Sequence, residues 1–417
     1  MSHPPDSLVI VGAGVSGCAL AAQLRHLGWR GPIRMVEAGR GVGGRAASRP
    51  DRRDPAWRLD HGAPFLDLQG SEPPALLRPL LQGGWIRPWP AAAADAGGSG
   101  AALMQLEADG SLSDNPGPLA DGGPLYRGWP AMADLAEGML ELAEQARQSG
   151  AAAAGAPPVE RLHGRRVETL EHRDGLWRLG DAAGTTLTVG GWLVLSGTLL
   201  AHPRCRELLG CEDIPLAAMN RQLRDPALEQ ALTAIADLRY DPRLALLLRL
   251  KADQGAPWRA LPFRHLWLSE AARQRWGLER VTVQPLADRR CGVVAHARPD
   301  DLIRCGRLVA TTAGGALARL DADGPIAALS DALLDALMPW ISRADLPASP
   351  GRQLMRWGGA FPLAAGLDAE VMVCPSSRVA LCGDAIAGAG FGRIEGAWRS
   401  GEWLAGRLLP LLQGRCS

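Results

Sequence analysis

The chain has 417 residues, of which 47% are hydrophobic and 21% charged, an ordinary globular balance in a length that suits one composite domain or two intertwined ones. Its 45 Lys and Arg stand against 44 Asp and Glu, and the formal net charge of +1 supplies no electrostatic reason to expect nucleic acid or an anionic membrane surface as a partner. No apolar stretch approaches the ~20 residues of a membrane helix, no charged and then apolar leader opens the chain, and the eight cysteines show neither CxxC nor metal-ligand spacing. The expectation is a cytoplasmic protein with free buried thiols and no metal, acting on a small molecule.

Leu8 to Val11 is a short apolar run bounded by glycine, which predicts a buried strand. The spacing of Leu20, Leu24 and Leu27 predicts a helix ending at Gly28. Ile33 to Glu37 reads as a second strand, completing a βαβ unit. Between the first strand and the helix, GAGVSG sets Gly12, Gly14 and Gly17 at the three glycine places of the dinucleotide fingerprint: a tight turn, close backbone approach to a pyrophosphate, and close helix–strand packing. Glu37 follows Gly17 by 20 positions, where a carboxylate accepts ribose hydroxyls and repels a 2′-phosphate, leaving NAD and FAD open. Directly after it, GRGVGGRAASR carries a second glycine turn at Gly43 and Gly44 with Arg45 behind. Such a turn suits a second part of a long cofactor, the pyrophosphate or the flavin edge.

Two Ala- and Gly-rich stretches, around 91–102 and 150–159, read as boundaries. Between them Met132, Leu135, Met139, Leu142 and Ala146 recur at helical intervals, with Pro130 near the first turn. From Arg166 the alternation of RVETLEH, LWRLG and TLTVGGWLVLSG predicts a strand meander returning to the first sheet. From about 204 to 350, strands (RLALLLRLKA, RVTVQPLA, CGVVAHA) mix with helices (GALARL, IAALSDALLDALMPWI), a pattern expected of a second, substrate-side lobe. Near the end, Val379 to Cys382 is a short apolar strand that delivers Gly383 and Asp384, a carboxylate suited to ribitol or another hydroxyl. Gly388, Gly390 and Gly392 then turn into a helix bearing Ile394, Ala397, Gly401, Leu404 and Leu408. Its small residues are expected to pack on the cofactor, and its N-terminus to favour negative charge.

These residues resemble the FAD-dependent amine oxidase-like superfamily and, within it, the renalase-like bacterial oxidoreductases. The resemblance rests on the fingerprint with Glu37, on Gly43-Gly44-Arg45, on RLDHGAPFLDL, YRGWPAMADLAEGM and LMRWGGAFP, and on the closing GD…EGA…SG helix. It runs nearly end to end, the middle third matching mainly in pattern. It implies an α/β, doubly wound, Rossmann-like FAD-binding domain of discontinuous sequence (1–90, 155–202 and 350–417) with an inserted α+β substrate lobe (91–154 and 203–349). It also implies noncovalent FAD held by Gly12, Gly14, Gly17, Glu37, Ala38, Gly43, Gly44, Arg45, Gly62, Ala63, Val167, Gly383, Asp384, Gly392, Ile394 and Glu395. The implied activity is hydride transfer from substrate to flavin N5 with oxygen as acceptor, on isomeric dihydronicotinamides or on amines. Trp357 and His61 are the catalytic candidates it places near the flavin; Trp129 and Trp267 read as core or lobe interface, and His265 and His296 have weaker claims.

The departures from the pattern are informative. Many amine oxidases of this superfamily hold a water at flavin N5 with a lysine, whereas Lys251 is the only lysine here and FRHLWLSEAARQRWGLERVTV contains none. With only Tyr126 and Tyr240, a pair of tyrosines guiding a neutral amine is not expected. Leu354 and Met355 precede Arg356 and Trp357 where the family usually has a histidine. Three readings stay open: a flavin oxidoreductase acting on a small reduced heterocycle, an amine oxidase or carotenoid desaturase relative, and a flavin-binding protein without turnover.

Overall fold

The computed structural model describes residues 6–51, 54–89, 103–114, 123–286, 288–298, 323–349, 351–363 and 365–414. The boundary expected at 91–102, the helix expected at GALARL, Cys305 and Cys416 lie outside these residues. The βαβ unit forms as its pattern predicts, with strand Leu8–Val11, helix Val15–His26 and strand Ile33–Glu37. Leu8–Val11 pairs in parallel with Ile33–Glu37 on one side and with Trp192–Leu195 on the other. Glu160–His163 extends the sheet beyond Ile33–Glu37, and Val379–Leu381 extends it beyond Trp192–Leu195, both in parallel. Val373–Cys374 closes the far edge as an antiparallel strand. The predicted meander is Thr169–Arg173, Leu176–Gly180 and Thr186–Gly190, an antiparallel ribbon that hands the chain to Trp192–Leu195.

Both faces of this sheet are covered, as continuous apolar strands require. On one face lie Val15–His26, Asp134–Gln145 and the long C-terminal helix Ile394–Leu412, with Leu20, Leu24, Met139, Leu404 and Leu408 in one cluster. Asp134–Gln145 starts four residues after Pro130, because Ala131 to Ala133 form a turn that Asp134 stabilises by accepting the Ala131 N–H at 2.8 Å. The other face holds Pro215–Leu223 and Pro226–Asp237, through Leu216, Leu228 and Ile235. These two helices were expected in the second lobe. Their apolar stripes instead meet Val9, Leu193 and Leu381 of the parallel sheet.

The second sheet has seven strands in the order Arg352–Leu363, Arg239–Leu250, Cys291–Ala297, Leu278–Pro285, His265–Leu268, Leu103–Leu106 and Leu112–Ser113. One face, with Leu244, Leu246, Leu248, Val281, Val283 and Val293, packs on helix Asp323–Ala336. The opposite face looks toward the parallel sheet.

The C-terminal helix is gripped through Gly401. A Cβ there would stand 2.3 Å from the carbonyl oxygen of Ser16 and 3.0 Å from Ala19, so this small residue serves contact with helix Val15–His26 and not, as expected, contact with a cofactor. Replacing Gly401 by Val forces the two backbones apart, at an expected cost of about 1–3 kcal/mol in denaturant unfolding. Gly406 lies on the same helix with open space around it; Gly406→Ala is expected to stabilise by up to about 1 kcal/mol.

Candidate active site

Leu8–Val11 is the switch point of the parallel sheet: the chain steps to one side of it for Ile33–Glu37 and to the other for Trp192–Leu195. Parallel pairing aligns the C-terminal ends of these strands on one edge, and a switch point opens a crevice there. Gly12, Glu37, Ser196, Gly383 and Asp384 all stand at those ends, and all line one cavity of about 1120 Å³. Ordinary ligand pockets measure ~300–1,000 Å³. The cavity continues from the glycine turn to the inner face of the seven-stranded sheet, where Trp267, Arg280, His296, Met355 and Trp357 form its wall.

The first glycine turn divides its work among three residues. Gly12 sits at φ +100°, in the left-handed region that favours glycine, and its carbonyl accepts the Ser196 hydroxyl at 2.7 Å. Gly17 lies outside the cavity and serves packing, since a Cβ would come within 2.5 Å of the Gly12 oxygen. A Cβ on Gly14 would meet nothing within 4 Å, although Gly14 lines the cavity. Its missing side chain therefore leaves space for a ligand. The second glycine turn lies directly against the first: the Gly43 N–H donates to Ala13 at 2.8 Å, and Gly14 and Gly43 form a parallel bridge. Helices Val15–His26 and Ile394–Leu412 both begin on the cavity wall, and neither has a side-chain cap. Their leading N–H groups and dipoles favour an anion.

Several expected contacts differ in detail. Glu37 lines the cavity, but its oxygens accept the Ala13 N–H at 2.8 Å and the Gly39 N–H at 2.5 Å, so it also ties the strand end to the fingerprint turn. Arg45 and Asp384, each expected to face a bound molecule, grip one another in a bidentate pair, Nη1 to Oδ2 at 2.6 Å. Arg45 further donates to the Ala360 carbonyl at 2.9 Å. Gly43, Gly44, Gly62, Ala63, Gly383, Gly392 and Ile394 stand in the cavity wall. Gly62 has a specific reason: a Cβ would fall 1.9 Å from the Arg45 carbonyl, which accepts the Ala63 N–H at 3.0 Å. Ala38 is exposed, and Val167 is buried in the apolar cluster behind the sheet; neither lines the cavity. Glu395 is likewise outside it. Fully buried, it accepts the N–H groups of Gln69 and Gly70 at 2.7 and 3.0 Å, with Arg399 at 2.8 Å, and so fastens the segment after Leu66–Asp67 to the C-terminal helix.

The two catalytic candidates meet. His61 and Trp357 pack edge to face with ring centroids 5.2 Å apart, and the Trp357 indole N–H donates to the His61 carbonyl at 3.3 Å. His61 is carried by Asp60, whose buried carboxylate accepts Arg127 at 2.6 Å, the Met132 N–H at 3.0 Å and the Ser48 hydroxyl at 2.5 Å. Burial, with Arg49 adding to it, lowers the His61 pKa to about 4, so its ring is neutral near pH 7. Trp267, which reads from the sequence as core or lobe interface, and His296, whose claim there is weak, both belong to the cavity wall. His265 is fully buried and bonds the Thr282 hydroxyl through Nδ1 at 2.8 Å. Trp129 is exposed and stacks on Arg87.

Sequence reasoning missed Ser196, Asp67, Arg393, Arg204 and Arg280, all of which line the cavity. Arg393 pairs with Asp67, whose carboxyl is raised by burial against the pull of that arginine. The position of Arg393 just before the last helix was a usable signal; the rest depend on strand pairing. Lys251 is exposed beyond strand Arg239–Leu250. Neither tyrosine lines the cavity, and Tyr240 is engaged by Thr198 at 2.5 Å and by Arg204. Among the described residues no group of three or more His, Cys, Asp or Glu is placed to hold a metal, and no helix is long and apolar enough to cross a membrane.

Residues 10–78 match the family described as NAD(P)-binding Rossmann-like domain. Cyclohexylamine oxidase from Brevibacterium oxydans superposes with a TM-score of 0.58 at 13% identity, covering 98% of this chain and 99% of that one. Putrescine oxidase bound to putrescine gives 0.57 at 13% identity, with 97% and 98% covered. A protein from Exiguobacterium sp. 255-15 assigned to the protoporphyrinogen oxidases gives 0.57 at 13% identity, with 98% and 99% covered. The chain has the fold of these oxidases. No curated protein sequence matches it. The shared fold spans both sheets.

The depressed pKa of His61 makes stability pH-dependent. In the unfolded chain the ring protonates near 6.5, in the folded chain near 4, so acid favours unfolding between those values. Stability is therefore complete above pH 6.5 and declines toward pH 4, by up to about 3 kcal/mol from this residue. Chemical denaturation of His61→Gln across that range is expected to show a shallower decline than the parent protein.

Proposed function

We propose that the chain is an FAD-dependent oxidoreductase whose cofactor lies along the cavity from the fingerprint turn to the seven-stranded sheet. The observation that carries this is the convergence on one continuous space of two abutting glycine turns, two uncapped helix N-termini and a strand-end carboxylate. The donor set fits the group. The open space at Gly14 and the N–H groups of Val15 and Ser16 would receive the diphosphate, and Glu37 the adenosine ribose, where its charge disfavours a 2′-phosphate. The Gly43-Gly44-Arg45 turn and the head of helix Ile394–Leu412 would flank the remainder, with His61 and Trp357 facing the reacting end. Bound FAD supplies a two-electron acceptor for a reduced substrate and passes the electrons on, with oxygen the proposed acceptor. The protein's own residues orient the partners and exclude water.

In this reading the enzyme is renalase-like, and its substrate is a small reduced heterocycle such as an isomeric dihydronicotinamide. The exposed position of the only lysine and the absence of tyrosine from the wall support it over amine oxidation. The proposed setting is the reducing cytoplasm, supported by six free cysteines among the described residues, including Cys205 and Cys211 with Sγ atoms 3.4 Å apart.

The protein is expected to purify yellow or to take up added FAD. Mixing it without oxygen with isomeric dihydronicotinamides, NADH, NADPH and amines is expected to bleach the flavin fastest with a dihydronicotinamide. Bleaching by amines alone moves the assignment to amine oxidation, and bleaching by no donor leaves a flavoprotein without turnover. Material that stays colourless with added FAD overturns the proposal. Gly14→Val separates cofactor from fold: its Cβ enters ligand space and meets no protein atom within 4 Å. FAD retention is expected to fall at least about tenfold, while unfolding of the cofactor-free protein changes by no more than about 0.5 kcal/mol.

A further inference from the structure

On the inner face of the seven-stranded sheet one row of residues runs straight across five strands. Trp267 pairs with Arg280, Arg280 with His296, His296 with Ala245, and Ala245 with Met355. Trp267, Arg280, His296 and Met355 all line the cavity. The Arg280 guanidinium packs over the Trp267 ring, 5.4 Å from its centroid, yet makes no hydrogen bond or ion pair among the described residues. Its Nε is buried without a partner, and so are Trp267 Nε1 and His296 Nδ1 on the neighbouring strands. The acid next to it in the chain, Glu279, pairs with Arg243 Nε at 3.2 Å, and Arg243 also pairs with Asp241. Two of these orphans, the indole and the guanidinium, can only donate, and buried donors call for acceptors.

We propose that Arg280, with Trp267 and His296 beside it, is the anchor for an oxyanion on the substrate, a carboxylate or a phosphate. The oxidoreductase reading is needed only to call that ligand a substrate; the anion site stands on the row of unpaired donors. A planar guanidinium held over an indole can receive both oxygens of such a group. The arrangement also selects against ammonium substrates, which would meet an unpaired positive charge.

Isothermal titration calorimetry of the protein as purified tests this, with benzoate and phenyl phosphate as probes and benzylamine as the cationic control. At least one anion is expected to bind more tightly than benzylamine, and the tighter of the two identifies the group as carboxylate or phosphate. Arg280→Gln is expected to weaken that anion at least about tenfold, Arg280→Lys by less, and Trp267→Phe by an intermediate amount. Because Arg280 has no hydrogen-bond or ion-pair partner to lose among the described residues and burial disfavours its charge, Arg280→Gln is expected to leave the ligand-free melting temperature unchanged or raise it. Failure of both anions to bind, equal affinity in Arg280→Gln, or tighter binding of benzylamine overturns the proposal. So does a lowered melting temperature with unchanged anion affinity. The visible spectrum of the same samples separates the two readings: flavin-loaded protein that ignores anions removes this proposal alone. Arg280-dependent anion binding in protein that takes up no flavin keeps the site and removes the oxidoreductase assignment.

Discussion

Everything in this molecule depends on the parallel hydrogen-bonding of Leu8–Val11 with its two neighbours. Parallel strands enter a sheet from one side, so their exits share an edge, and segments hundreds of residues apart in the chain deliver Gly12, Glu37, Ser196 and Gly383 to the same crevice. An antiparallel strand in the middle of this sheet would send its exit to the opposite edge and leave the crevice one wall short.

That edge is held by carboxylates drawn from distant segments. Asp384 pairs with Arg45 across 339 positions, Glu395 caps the backbone at Gln69 and Gly70, and Asp60 gathers Arg127, Met132 and Ser48. In a chain with a single lysine the cationic partners are arginines, whose fork matches a carboxylate in two places at once and fixes orientation as well as distance. Removing one member of such a buried pair leaves the other charge without compensation, which is why these contacts define geometry more than they add stability.

The second sheet solves a different problem. Its strands alternate so that leucine and valine meet helix Asp323–Ala336 on one side, while His296, Arg280 and Trp267 meet the cavity on the other. A register shift between Leu278 and Arg280 lets Glu279 share that inner side with Arg280. The two sheets thus contribute opposite qualities to one space: backbone amides and glycine from the parallel sheet, and side-chain donors and aromatic rings from the other.

The amino-acid sequence by itself determined the βαβ unit, the meander, the glycine turns and the strand-end acids, because each is a local pattern whose period or spacing is set within a few residues. His61 and Trp357, singled out as candidates from the sequence, lie 296 positions apart, and it is the tertiary structure that brings them into contact. Only the tertiary structure decided that Arg45 and Asp384 face one another, that Glu395 and Val167 stand away from the cavity, and that Gly401 packs on helix Val15–His26. Helices Pro215–Leu223 and Pro226–Asp237 joined the parallel sheet for the same kind of reason, since an apolar stripe does not name the surface that will cover it. The row of Trp267, Arg280 and His296 is the clearest case. Alternation puts each of these residues on one side of its own strand, but which strands become neighbours, and in what register, is set by long-range pairing that no single segment encodes.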